Sequence, residues 1–135
     1  MKEIFIPGNV PSSKNSKQLT GKMLIHSKPT RNYIRDTKQH YIQAKEEFKS
    51  QVIDKAGIAL SYPIHIDFYF VRNSRRKFDY INPAQTVQDL MVKYEWIEDD
   101  NADFLLPVLE PYEYNKVKPG VLITIKSNNN DKEKK

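Results

Sequence analysis

The sequence predicts one small domain of the α+β class, in which a mixed β-sheet packs against two main helices. With 135 residues, the chain is long enough for one substantial core. Its hydrophobic fraction of 39% and aromatic fraction of 11% are typical of a folding chain. Strand-like and helix-like segments follow one another without a dividing linker. We therefore expect a domain over residues 1–127 and a disordered polar tail over 128–135.

Five short apolar segments are predicted to form strands. The clearest is PIHIDFYFV, residues 63–71, where large apolar residues alternate with polar ones as in a strand with one buried face. The others are residues 2–6, 23–27, 104–109 and 120–126. The segment 7–22 is predicted to be a loop, because it is rich in Pro, Gly, Ser and Asn, and the segment 110–119 is predicted to be a turn.

Two longer segments have the apolar spacing of helices. The first runs roughly from Asn32 to Lys55, and Gly57 supplies its stop. The second begins at Asn82-Pro83, with Asn as the N-cap and Pro as the first helical residue, and it continues to about Tyr94. Three aromatic residues are predicted to be core residues in preference to rings that contact a ligand: Tyr33, Tyr41 and Trp96.

The composition limits the classes of protein to consider. The chain contains no cysteine, so disulfides and thiolate zinc sites are excluded and a reducing compartment is expected. The N-terminal segment lacks the apolar run of a signal peptide, and no segment approaches the ~18 apolar residues of a membrane span. We expect a cytoplasmic protein with no membrane partner.

Charge is distributed unevenly along the chain, whose formal net charge is +5. Glu3 and Asp36 are the only carboxylates among many cations between Met1 and Lys38, whereas Lys93 is the only basic residue between Asp89 and Glu113. This pattern suggests a polyanionic partner on one surface and a cation, such as a metal ion, on another. Ordinary solvated charge remains the alternative.

Acidic residues flank the second helix. Asp79 precedes this helix, and the pair Asp99-Asp100 follows it. Because the helix spans ~20 Å, the chain beyond Tyr94 must fold back for Asp100 to approach Asp79. Clustered carboxylates need a compensating cation, and oxygen ligands without a nearby His or Cys favour Mg²⁺ or Mn²⁺. With the cations of residues 72–77, they would provide the groups needed for phosphodiester hydrolysis; taken alone, each signal also fits a solvated loop, a surface turn or a cap.

The segment RRKFDYIN…QDLMVKYEWIEDDNAD, residues 75–103, resembles the RusA family of Holliday junction resolvases of phages and prophages. That family's signature is a basic run, an Asp-x-Asp-Asn motif, a helix that contains Asp, and an apolar residue followed by Asp-Asp. The segment PGNVPSSKNSKQ, residues 7–18, resembles the family's Pro-Ser-Asn loop. The resemblance covers most of residues 2–126, and its specific part is residues 72–103.

The resemblance implies a homodimer that cuts opposed strands of a four-way DNA junction, in DNA recombination and repair, with Mg²⁺ held by aspartates and Mn²⁺ as a possible substitute. By motif position, Asp79 and Asp100 are the implied catalytic residues and, with Asp99, the implied metal ligands. Asn82 and Asp89 are candidates for support. The residues expected to bind DNA are Lys14, Asn15, Lys17, Arg31, Arg35, Arg72, Arg75, Arg76 and Lys77.

Two positions depart from the family's pattern. Ile81 stands where the family has its second motif aspartate, and Gln85 stands where it has a lysine. One ligand fewer weakens metal binding, although Asp99, Glu98 or Asp89 could substitute. Two alternatives to the nuclease therefore remain open. One is a protein with this fold that binds branched DNA without cutting it, and the other is an unrelated nucleic-acid-binding module.

Overall fold

A computed structural model describes residues 3–12, 18–20, 23–25, 27–52 and 62–126. It confirms the predicted α+β domain with a mixed five-stranded sheet and two helices. The elements are β1 Ile4–Pro7, β2 Gln18–Thr20, β3 Met23–Ile25, α1 Lys28–Gln51, β4 Ile64–Arg72, α2 Ile81–Lys93, β5 Leu105–Leu109, β6 Glu113–Tyr114 and β7 Gly120–Lys126. The proposed tail, 128–135, lies outside the described residues.

The main sheet has the strand order β1-β7-β4-β5, with β6 also paired to β4. β7 lies antiparallel between β1 and β4, and Ile123 is the partner of both Ile4 and Phe68. β4 and β5 are parallel, with Ile64 opposite Leu105. Parallel neighbours need a crossover, and α2 provides it. β2 and β3 form a separate antiparallel pair.

The core lies between the sheet and the two helices. Alternate residues of β4 are buried, as its sequence predicts, and they join buried residues of β1 and β7. The rings of Tyr41 and Phe48 from α1 are buried, as are the side chains of Val87 and Met91 from α2. Tyr33 is also buried, and its hydroxyl lies 2.9 Å from that of Tyr41. The prediction that both tyrosines are core residues is confirmed.

α1 begins at Lys28, four residues before the predicted start at Asn32, so that prediction was wrong. The reason is an N-terminal cap: the Oγ of Ser27 accepts a hydrogen bond from the backbone N–H of Thr30 at 3.4 Å. Pro29 lies in the first turn, where its fixed φ suits a helix. The helix ends at Gln51, and the predicted end and stop, Lys55 and Gly57, lie outside the described residues.

α2 begins at Ile81, so the prediction that Asn82 is its N-cap was wrong. The cap residue is Tyr80, which makes no capping hydrogen bond through its side chain. The Asn82 side chain instead donates from Nδ2 to the carbonyl oxygen of Ser12, at 3.3 Å. Asn82 therefore ties the start of α2 to the loop after β1.

Two short strands lie in segments predicted to be a loop or a turn. These are β2, in the segment 7–22, and β6, in the segment 110–119. Strands of two or three residues are too short to produce a period in the sequence. Of the helices that the structure describes, neither combines the length and hydrophobicity needed to cross a membrane.

Candidate nucleic-acid interface and acidic site

The basic residues follow the end of β4 in what we term the basic segment, Arg72–Lys77. Arg72 is only 4% exposed. Its guanidinium donates to the carbonyl oxygen of Val10 and to the Oγ of Ser12, both at 3.3 Å. The same group lies 3.9 Å from the centre of the Phe78 ring. Arg72 is therefore buried between β4 and the loop after β1, although it was expected to be exposed for DNA binding.

Aromatic rings fix the path of the chain from the basic segment to α2. Phe78 packs edge-to-face on Tyr80 and on Tyr112, with ring centres 5.1 and 5.0 Å apart. Outside this cluster, the guanidinium of Arg75 lies 4.3 Å from the centre of the Tyr114 ring. The side chains of Arg75, Arg76 and Lys77 are exposed, so they are available to a polyanion.

The chain reverses direction directly after α2, and such a reversal is needed for Asp100 to return toward the helix. Glu95 adopts a left-handed conformation with φ 66°. The backbone N–H of Glu95 donates to Val92 at 3.0 Å, and that of Trp96 donates to Met91 at 2.8 Å. This pair of bonds is the Schellman motif, here with a glutamate where glycine is usual.

Trp96 holds the reversed chain against α1. Its ring is buried, with its centre 5.1 Å from that of Phe48 and 5.7 Å from that of Tyr41. Its indole N–H donates to the carbonyl oxygen of Tyr41 at 2.9 Å. The prediction that Trp96 is a packing residue is therefore confirmed.

The reversal brings Asp100 close enough to Asp89 of α2 for their charges to interact, and Asp100 is half-buried there. Burial raises the pKa of Asp100, and the negative charges of Asp89 and Asp99 raise it further, partly opposed by a backbone hydrogen bond. Both Asp99 oxygens already accept hydrogen bonds, from the Asp100 backbone N–H at 2.8 Å and from the Asn101 side chain at 3.0 Å. Asp89 is therefore the neighbour with more capacity to share a cation with Asp100.

Asp89 is half-buried on α2, although its sequence position also fitted a plain exposed residue. Gln85, one turn earlier, donates from Nε2 to an oxygen of Asp89 at 2.8 Å. The spacing of four residues between an amide and a carboxylate was the sequence signal for this contact. Gln85, which departs from the family's lysine, therefore orients a carboxylate next to Asp100.

Asp79 lies at the other end of α2, exposed in the turn that leads into the helix. Its backbone oxygen accepts a hydrogen bond from Asn82 at 3.0 Å. The side chain of Ile81 is 69% exposed and offers no ligand. About 12 Å of helix separates Ile81 from Asp89, at ~1.5 Å per residue. Within the described part of the chain, no three His, Cys, Asp or Glu side chains are grouped closely enough to hold a metal ion.

The remaining predicted DNA-binding residues lie elsewhere. Arg31 and Arg35 are exposed in the first turns of α1, and Arg35 pairs with the neighbouring Asp36 at 2.9 Å. Lys14, Asn15 and Lys17 lie outside the described residues. Comparison of the chain with protein-family models and with curated proteins found no match.

Proposed function

We propose that the chain is a Mg²⁺-dependent endodeoxyribonuclease of the RusA type that cuts branched DNA, in particular four-way junctions, in the cytoplasm of a bacterial or phage-infected cell. The observation that supports this most is the half-buried Asp100, whose negative charge is opposed by those of Asp89 and Asp99. Two carboxylates that repel each other, here Asp100 and Asp89, would be stabilised by a hard divalent cation bound between them.

The carboxylates of Asp100 and Asp89 fit Mg²⁺, because hard oxygen donors are the ligands that this ion prefers. Asp99 is adjacent to Asp100 in the chain, whereas Asp79 and Asn82 lie at the other end of α2 and are supported as ligands by the motif resemblance alone. A bound Mg²⁺ would supply an activated water and a positive charge for the phosphate under attack. The protein's own residues do the rest: Gln85 orients Asp89, and the basic segment binds the DNA backbone.

A four-way junction has near two-fold symmetry, so two symmetric cuts suit a homodimer with one site in each subunit. We therefore include a homodimer in the proposal. The exposed residues of the basic segment would hold the DNA by phosphate contacts that are independent of base sequence. Selection for a junction would then come from the arrangement of two subunits and not from base contacts.

The test is cleavage of an end-labelled four-way junction in Mg²⁺ or Mn²⁺. We expect symmetric nicks by the protein, and at least a hundredfold loss of nicking rate in Asp100→Asn with junction binding retained. Asp89→Asn should lose nicking to a similar degree, whereas Asp99→Asn should lose less. Asp103→Asn is the matched control, because Asp103 is an exposed carboxylate in the same turn.

A second candidate is a protein with the same fold that binds branched DNA without cutting it. The exposed Ile81, and the length of helix between Asp79 and Asp89, favour this candidate, because they leave fewer carboxylates near Asp100. Tight junction binding with no nicks in either metal would establish it. Equal affinity for linear duplex and junction would instead indicate a general nucleic-acid-binding module.

A further inference from the structure

Arg72 is a buried cation that lacks a complete set of partners. Its Nε–H is buried and has no hydrogen-bond partner among the residues that the structure describes, while its other nitrogens bond to uncharged oxygens of Val10 and Ser12. Among the residues that the structure describes, no carboxylate forms an ion pair with Arg72. The described contacts of its guanidinium thus include two neutral acceptors and the face of Phe78.

The buried position of the Arg72 guanidinium is energetically unfavourable unless an anion binds next to it. Burial lowers the pKa of Arg72, but an arginine stays protonated at neutral pH, so the charge remains. A buried N–H donor without a partner is energetically costly, and a buried charge without a counter-charge is more costly still. Two hydrogen bonds and the Phe78 ring fix the side chain in this position, so an anionic ligand would relieve this cost.

Arg72 lines a surface cavity of about 420 Å³ that opens to solvent beside the basic segment. The wall also includes the cations Arg76 and Lys77, both exposed, and the hydroxyl-bearing residues Ser12 and Ser74. Three cations converge here, and none of the described lining residues is a carboxylate. Such a set of charges and N–H donors suits a phosphate group better than a carboxylate, whose charge is smaller.

We propose that this cavity binds one phosphate group, with Arg72 as its innermost donor and a backbone phosphate of DNA as the occupant. The phosphate part follows from the cavity alone, whereas naming DNA as the source rests on the proposed function. Arg76 and Lys77 supply charge at the mouth, and Ser12 and Val10 hold the guanidinium in place. Bound this way, a single phosphate fixes the position of the duplex relative to β4.

The experiment follows the Arg72 Nε–H resonance in ¹⁵N-labelled full-length protein by NMR. Arg72→Lys identifies the resonance by its loss. Inorganic phosphate is titrated at constant ionic strength against chloride, and we expect a saturable shift of this resonance. Arg76→Gln and Lys77→Gln, exposed and therefore tolerated by the fold, should each weaken phosphate binding by about fivefold or more. Lys49→Gln is the charge-matched control, because it lies ~30 Å along α1 from the cavity residue Pro29.

A linear, chloride-like response, or equal effects of Lys49→Gln and Arg76→Gln, would overturn the proposal and leave Arg72 with a purely structural role. The second arm repeats the measurement with a short DNA duplex. A phosphate-like shift supports DNA as the source, and saturation by free phosphate with no response to duplex overturns that part. Junction nicking with an unresponsive resonance would sink this inference alone, whereas phosphate binding without nicking would sink the nuclease alone.

Discussion

At the scale of single residues, Asp100 is the group whose ionisation should be visible in the stability of the protein. Its raised pKa means that the folded state holds the proton more tightly than the unfolded chain does. Ionisation of Asp100 therefore lowers the free energy of unfolding as the pH rises from the ordinary value of 3.8 through the raised one. Above this pH range Asp100 is ionised in both states, and the folded state carries the full cost of burying that charge and of its repulsion by Asp89 and Asp99.

We predict that Asp100→Asn raises the free energy of unfolding at pH 7, because the amide has no charge to be desolvated by burial or repelled by Asp89 and Asp99. Solvent screens this half-exposed site, so the gain should stay below about 1 kcal/mol. Near pH 3 the gain should vanish, since Asp100 is then neutral in both states. Urea denaturation at the two pH values measures the difference. A gain of the same size at both would assign the effect to the amide and not to charge.

Individual residues also show which structural features can be predicted from the sequence and which cannot. Trp96 was correctly predicted as a packing residue, because a large aromatic ring next to Ile97 is usually buried in a core. Asn82 was assigned a cap that it does not form, because its actual partner, Ser12, is 70 residues away in the chain. Residue spacing in the sequence reflects hydrogen bonds between nearby residues. It gives no signal for contacts between polar side chains that are distant in the chain.

At the scale of elements, the turn that ends α2 is the most demanding local structure. A left-handed φ is costly for any residue with a Cβ, and glycine is the usual residue in this motif. Here Glu95 occupies the position, and Trp96 is buried directly after it. Burial of that ring, together with its indole hydrogen bond, offsets the strain and keeps the reversal in place.

We predict that Glu95→Gly raises the free energy of unfolding by about 0.5–1 kcal/mol, because glycine accepts the left-handed conformation without a steric cost. The ion pair between Lys45 and Glu95 spans 3.5 Å, and its glutamate is largely exposed, so it contributes little and its loss should not cancel the gain. Glu95→Ala is the control, since it removes the same charge but keeps the strain. A gain in the alanine variant would attribute the effect to charge.

The elements also show what sequence period can predict. The long strand β4 and the face of α2 were predicted correctly, because burial repeats along them with a regular spacing. The start of α1 was placed too late, because its cap and its proline precede the first apolar residue of the pattern. The acidic site lay beyond such prediction, because it depends on how tightly the chain reverses after α2.

At the scale of the whole molecule, phosphate contacts of the exposed cations should dominate DNA affinity. Each phosphate contact that is lost reduces the slope of log K against log salt by ~0.9. We predict that Arg75→Gln weakens binding to all duplex sequences alike and reduces this slope by about that amount. Fluorescence anisotropy between 50 and 200 mM salt, a range in which such slopes are steep, measures it. An unchanged slope would mean that Arg75 stays on the Tyr114 ring and does not reach the DNA.

The parallel pairing of β4 with β5 has an electrical consequence for the encounter with DNA. The basic segment leaves the far end of β4, whereas the acidic turn Glu98–Asp103 enters β5 next to Ile64. The two therefore lie toward opposite edges of the sheet, separated by roughly 25–30 Å of strand at ~3.3 Å per residue. Under the proposed function, this separation of the basic segment from the acidic turn would turn the basic segment toward a polyanion during the encounter.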